Sequence, residues 1–161
     1  MDWKGCWEKD NLPWHIEDAH SKFLLHLDKI TEKKNKAKIF FPLCGKVVGV
    51  EYIELALKHP TLETNFDGVW DRGGLEAVDV DQRGKYTDVM KFVMKRGAGC
   101  VLEIADRSEE EGPPFNVSAV DITQLYDLKA PPEKVDYEPA SEILKSMNVD
   151  GMIYYYYKIQ S

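Results

Sequence analysis

Apolar residues recur every three or four positions after Pro13, at Ile16, Ala19, Phe23, Leu27 and Ile30. Proline suits a first helical turn, so the spacing predicts a helix opening at Pro13. The run Lys33-Lys34-Asn35-Lys36 ends it. The pattern then changes from periodic to continuous. Ile39 to Lys46 is an apolar run closing on a glycine turn, and Val47 to Glu51 is a second run closing on an acid. Tyr52 to Lys58 reads as the start of a helix, and Phe66 to Trp70 as a central strand around Asp67. Asp79 with Gln82 resembles a capping arrangement for a helix carrying Tyr86, Val89, Met90, Val93 and Met94, with Gly97 as its stop. Cys100 to Ile104 is another strand, Glu109 to Pro114 a loop, and Ser118 with Asp121 the cap of a helix carrying Ile122, Leu125 and Tyr126. The tyrosine-rich tail Met152 to Ile159 is expected in a closing antiparallel pair. Alternating strands and helices predict one α/β domain over residues 1–161.

The first two runs carry the chemistry. A glycine after one strand lets a ligand approach the backbone, and an acid after the next accepts ribose hydroxyls, as in nucleotide-binding α/β domains. Gly45 and Glu51 have those positions, but only five residues intervene where about 20 are usual. Neighbouring parallel strands need a crossover of a dozen or more residues. The sequence therefore predicts breaks near 46/47 and 58/59. They could be segments passed over by continuous numbering (the expected explanation), a genuine deletion or splice form, or a fold rearranged around a tight turn.

Composition narrows the classes. Of 161 residues, 43% are hydrophobic and 30% charged, which suits a globular domain. A net charge of −7 and a pI near 5.1 argue against a nucleic-acid or anionic-membrane partner. No apolar stretch reaches membrane-spanning length, and the N-terminus has no signal-peptide core. Cys6, Cys44 and Cys100 fit neither a disulfide framework nor a zinc site, which points to a reducing cytoplasm. The four histidines show no metal spacing, and nothing demands more than a monomer.

Four segments in order resemble the thiopurine S-methyltransferase family: Phe40-Phe41-Pro42-Leu43-Cys44-Gly45-Lys46, Val47-Val48-Gly49-Val50-Glu51, Phe66 to Leu75, and Gly112-Pro113-Pro114-Phe115. The resemblance runs from about Trp3 to the C-terminus, with internal pieces missing. It implies a Rossmann-like class I methyltransferase: a mostly parallel sheet flanked by helices, with an antiparallel C-terminal strand. It further implies S-adenosyl-L-methionine as cofactor, S-adenosyl-L-homocysteine as product, and a small-molecule thiol as acceptor. The family places a helix between Lys46 and Val47, and a longer stretch with a further strand before Phe66.

The resemblance also implies roles for single residues. Leu43, Cys44 and Gly45 would face the cofactor's amino-acid moiety, where an ordinary strand-to-helix turn is the plain alternative. Glu51 would hold the ribose; otherwise it is an acid placed by a helix dipole. Trp3, Trp7 and Trp14, over residues 1–30, would form a lid and helix over the sulfonium, although Trp14 suits core packing nearly as well. Arg72 and Asp71 would stand on the substrate side, the alternative being a surface ion pair. Pro113 to Phe115 would shape the acceptor's loop. His20, near the apolar helix face, reads as structural. The family commonly adds an arginine near the C-terminus, where Ser141 to Ser146 offers only Lys145. Lysine and arginine bind planar anions differently, so the acceptor stays open among thiopurine-like thiols, sulfide, halide and metalloid nucleophiles. A shortened, noncatalytic form is the rival.

Overall fold

The computed structural model describes Glu8 and residues 18–42, 64–108 and 112–160. Helix α1 spans Ser21–Thr31, and strand β1 is Ile39–Phe40. Strand β2 (Phe66–Arg72) is followed by the short helix α2 (Gly74–Ala77), a 3-10 turn at Val80–Gln82, and helix α3 (Arg83–Val93). Strand β3 (Met94–Asp106), helix α4 (Ala119–Leu125), strand β4 (Glu133–Pro139), helix α5 (Glu142–Lys145) and strand β5 (Gly151–Lys158) complete the order. The five strands lie as β1-β2-β3-β5-β4. The first three run parallel; β5 is antiparallel to both β3 and β4. This is the α/β sheet with an antiparallel C-terminal strand that the sequence predicts.

Several boundaries differ from the sequence reading. Residues 18–20 are not helical, so α1 begins at Ser21 rather than running on from Pro13. It stops where Glu32 and Lys33 turn left-handed (φ 51° and 60°), as the lysine-rich run begins. Asp79 offers no side-chain cap; Gln82 N–H bonds its carbonyl instead, at 2.8 Å. Met94 continues straight from helix into strand, and Gly97 (φ 81°) lies inside β3, its N–H bonded to Ile159 O at 2.8 Å. The capping box on α4 forms as expected: Asp121 N–H donates to Ser118 Oγ at 3.1 Å, and Ser118 N–H to Asp121 Oδ2 at 2.7 Å. Strand β4 and helix α5 have no counterpart in the sequence reading. Five of the seven residues of β4 are charged or proline at a sheet edge, a pattern that hides a strand.

The sheet is covered on both faces. Helices α2, α3 and α4 press Leu75, Met90, Val93 and Ile122 onto Phe66, Val69, Cys100, Leu102 and Tyr157. Helix α1 covers the opposite face, with Ile30 and Phe23 against Trp70, Val101 and Tyr154. The tail's four tyrosines alternate between the cores, as strand periodicity requires. Helix α1 comes unusually close to the sheet because Gly68 and Gly99 are register partners beneath it. A Cβ on Gly68 would lie 2.6 Å from Ile30 O, and one on Gly99 2.7 Å from Lys29 O. At the amino end of β2, buried Asp67 is held by Lys34 and Lys95 (3.1 and 2.9 Å) and by the Lys38 N–H (3.0 Å).

Candidate functional site

Open parallel sheets bind ligands beyond the carboxyl ends of their strands. Here β1, β2 and β3 end at one edge, and β1 pairs only with β2 among the described strands. Strand alternation sends the last two residues of β2 to opposite faces. Asp71 turns toward α2 and α3, Arg72 toward α1. The two residues expected on the substrate side thus face opposite sides of the sheet.

On the α2–α3 face Asp71 builds a turn. Its Oδ1 accepts from Gly74 N–H at 2.9 Å, and its Oδ2 from the Tyr86 hydroxyl at 2.8 Å. A Cβ on Gly74 would stand 2.4 Å from that Oδ1, so the turn needs glycine there. Burial raises the Asp71 pKa to about 7, against the lowering effect of its hydrogen bonds. Glu76 does the same work one step on. Its Oε2 accepts from Ala105 N–H at 2.7 Å, and its backbone carbonyl accepts from Phe115 N–H at 2.7 Å. Burial, with the Glu103 and Asp71 charges adding to it, raises Glu76 to about 7 as well. Arg107 Nη1 donates to Pro114 O at 2.6 Å, so the Pro113–Phe115 loop is tied to the carboxyl edge from two sides. Cys100 is fully buried and its thiol is pushed well up by that burial, which makes it unreactive.

On the α1 face the groups are arranged less completely. Arg72 and Glu103 are register partners on β2 and β3, and Arg72 Nε donates to Glu103 Oε1 at 3.3 Å. The Arg72 side chain is 33% exposed while that of Glu103 is 5% exposed. Burial raises the Glu103 pKa, with the Arg72 charge opposing. Glu103 Oε2 has no hydrogen bond within reach; His20 Nε2 lies 3.6 Å away. His20 is itself held toward its neutral form by burial and then by the Arg72 charge. Its ring lies 5.6 Å from that of Trp70, which stacks on Tyr154 at 6.0 Å. The Tyr154 hydroxyl reaches Glu138 Oε2 at 3.5 Å. A cation, a carboxylate and an aromatic wall therefore converge at the strand ends. That set can hold a soft nucleophile and handle its proton.

Trp3, Trp7, Trp14, Leu43, Cys44, Gly45 and Glu51 lie outside the described residues, as do the expected breaks near 46/47 and 58/59. Sequence reasoning passed over Glu103 and Glu76. Glu103 had a visible signal, a lone acid within the apolar run Cys100 to Ile104; Glu76 had none. Among the described residues no cluster could hold a metal ion, and no helix is long and apolar enough to cross a membrane.

The family model for thiopurine S-methyltransferase matches this chain over residues 1–60 and 55–155. Thiopurine S-methyltransferase of Equus caballus is 28% identical over 182 aligned positions, covering 78% of this chain and 74% of the relative. That of Panthera leo is 28% identical over 181 positions, with coverage of 78% and 74%. The Oryctolagus cuniculus enzyme is 27% identical over 184 positions, covering 80% and 75%. An alignment of 182 positions exceeds the 161 residues here, so the horse protein carries residues with no counterpart in this chain.

Proposed function

Because this chain belongs to the thiopurine S-methyltransferase family, whose members are S-adenosylmethionine-dependent methyltransferases, we propose that it methylates the sulfur of a small thiol at the carboxyl edge of β1, β2 and β3. The observation that carries the reading is the Arg72–Glu103 pair where β2 ends against β3, beside Trp70 and under the start of α1. S-adenosyl-L-methionine supplies, when bound, a methyl group on a positively charged sulfur. Gly45 with Leu43 and Cys44 would hold its amino-acid moiety, Glu51 its ribose, and Trp3, Trp7 and Trp14 would close over it. In support, β1 leaves its outer side unpaired among the described strands, where Val47 to Glu51 would pair.

Arg72 is assigned to the acceptor, where its guanidinium stabilises charge gathering on sulfur. Asp71 is assigned to the turn: its oxygens are committed to Gly74 and Tyr86, so it positions Arg72 rather than touching substrate. Positioning supplies much of the rate of an in-line transfer, which needs no elaborate acid–base team. The acceptor is proposed as an aromatic or heterocyclic thiol, matching the aromatic wall of Trp70 and Tyr154. A monomer in the cytoplasm fits this reading.

One observation favours a second reading. The relatives possess residues that this chain lacks, and Leu43 to Val47 is too short for a crossover. A shortened form that keeps the fold but forms no cofactor pocket would look the same on its acceptor side. Titration calorimetry with S-adenosylhomocysteine separates the two. Saturable binding that Glu51→Ala weakens about tenfold or more supports the enzyme. No heat of binding from a folded preparation leaves the shortened form. Arg72→Ala is expected to lower turnover more than cofactor affinity, and full activity with every thiol tried removes it from the site.

A further inference from the structure

We propose that Glu103 receives the proton of the acceptor thiol, so that this chain takes protonated thiols as well as those already ionised. The inference rests on the methyltransferase reading above and deepens it. A buried carboxylate oxygen without a hydrogen bond is costly, and such an orphan calls for an explanation. Glu103 Oε2 is one: it is buried, it lies at the level where β2 ends, and His20 Nε2 stands 3.6 Å away. Its other oxygen is fixed by Arg72 Nε. The carboxylate is thus oriented by Arg72 and Tyr154 and keeps Oε2 open, as a base held ready for a donor must be.

The charges around it fit. Arg72 from β2, His20 just ahead of α1, Tyr154 from β5 and Glu138 from β4 surround Glu103, while Asp71 and Glu76 act on it through the sheet. Burial makes Glu103 more basic than an ordinary carboxylate. His20 is held toward its neutral form by burial and by the Arg72 charge. In the step, the thiol proton passes to Glu103 Oε2 while the S–H electron pair stays on sulfur. A sulfur lone pair forms the new bond to the methyl carbon. The old bond from that carbon to the sulfonium sulfur breaks, its pair remaining on the departing sulfur as a neutral thioether. Protonation of Glu103 weakens its ion pair with Arg72, whose guanidinium lies beside the sulfur as negative charge collects there. The proton leaves Glu103 to solvent after the product thioether departs.

The test compares two acceptors with full-length protein: phenylmethanethiol, protonated at neutral pH, and 4-nitrothiophenol, already a thiolate. Glu103→Gln is expected to lower kcat/KM about 100-fold for the first and by less than about threefold for the second. The acid limb of the wild-type profile with phenylmethanethiol should disappear in this variant, and Glu103→Asp should restore part of it. A readout without turnover is the ultraviolet difference spectrum of phenylmethanethiol added to protein and S-adenosylhomocysteine. The wild type should show a thiolate band and Glu103→Gln should not. If Glu103→Gln fails to fold, as judged by circular dichroism, the wild-type band decides alone. Equal slowing of both acceptors, or no thiolate band in the wild type, overturns the proposal and leaves Glu103 a structural partner of Arg72. Absence of S-adenosylhomocysteine binding overturns the methyltransferase reading itself. Tight binding without discrimination between acceptors overturns only the base.

Discussion

Asp71 and Arg72 are neighbours in sequence, yet they belong to two different environments. On the α2–α3 face the buried carboxylates have answered their hydrogen-bonding needs: Asp71 with Gly74 and Tyr86, Glu76 with Ala105. On the α1 face Glu103 is held by Arg72 and Tyr154 yet keeps one orphan oxygen, and Arg72 keeps a third of its side chain in solvent. A satisfied buried carboxylate is architecture, because any rearrangement would strand several polar groups at once. An incompletely satisfied one beside a solvent-accessible cation has interactions left to give to a ligand. The same strand end therefore supplies both the brace and the site.

The largest effect that sharpens this contrast is the pH dependence of stability. Burial raises Asp71 and Glu76 to about 7, from ordinary values near 4. A carboxyl that is harder to ionise in the folded state favours folding while it is protonated. Its contribution is complete below the unfolded pKa and is lost as pH rises through the folded one. Stability should fall between about pH 4 and about pH 7, each group losing on the order of 1.4 kcal/mol for every pH unit crossed, before coupling between the two reduces it. Urea unfolding at a series of pH values measures this, and a flat curve across that window would mean that neither acid is buried as described.

Next in size is Asp71→Ala, which strands the Tyr86 hydroxyl and the Gly74 N–H. It should cost about 3 kcal/mol in urea unfolding at pH 5. Tyr86→Phe removes one donor only and should cost about 1 kcal/mol by the same measurement. Last is Arg72→Ala, with a loss of about 1 kcal/mol, since the pair is screened by water on the Arg72 side and buried Glu103 takes up a proton once its partner is gone. If Arg72→Ala destabilised the fold as much as Asp71→Ala, the division of the strand end into brace and site would fail.

Much of the fold was legible locally. The capping box at Ser118 and Asp121 needs only two residues at fixed spacing, and the tyrosine tail announces a strand by composition. The end of α3 was not legible. Met94 continues the helical spacing, yet it pairs with Phe66 in the sheet, and Gly97 serves a strand rather than a helix end. Tertiary pairing overrode a local stop signal there.

Sequence alone determined the family, the α/β order of elements, and the residues that could carry chemistry, because these depend on residue type and spacing. Only the tertiary structure decided which face each one serves. Arg72 meets Glu103, 31 positions along the chain, through strand register. Asp71 points away from Arg72 because neighbouring side chains in an extended chain cannot share a face. Gly68 and Gly99 show their purpose only once α1 lies across them, since a missing Cβ has no meaning until another backbone needs the room.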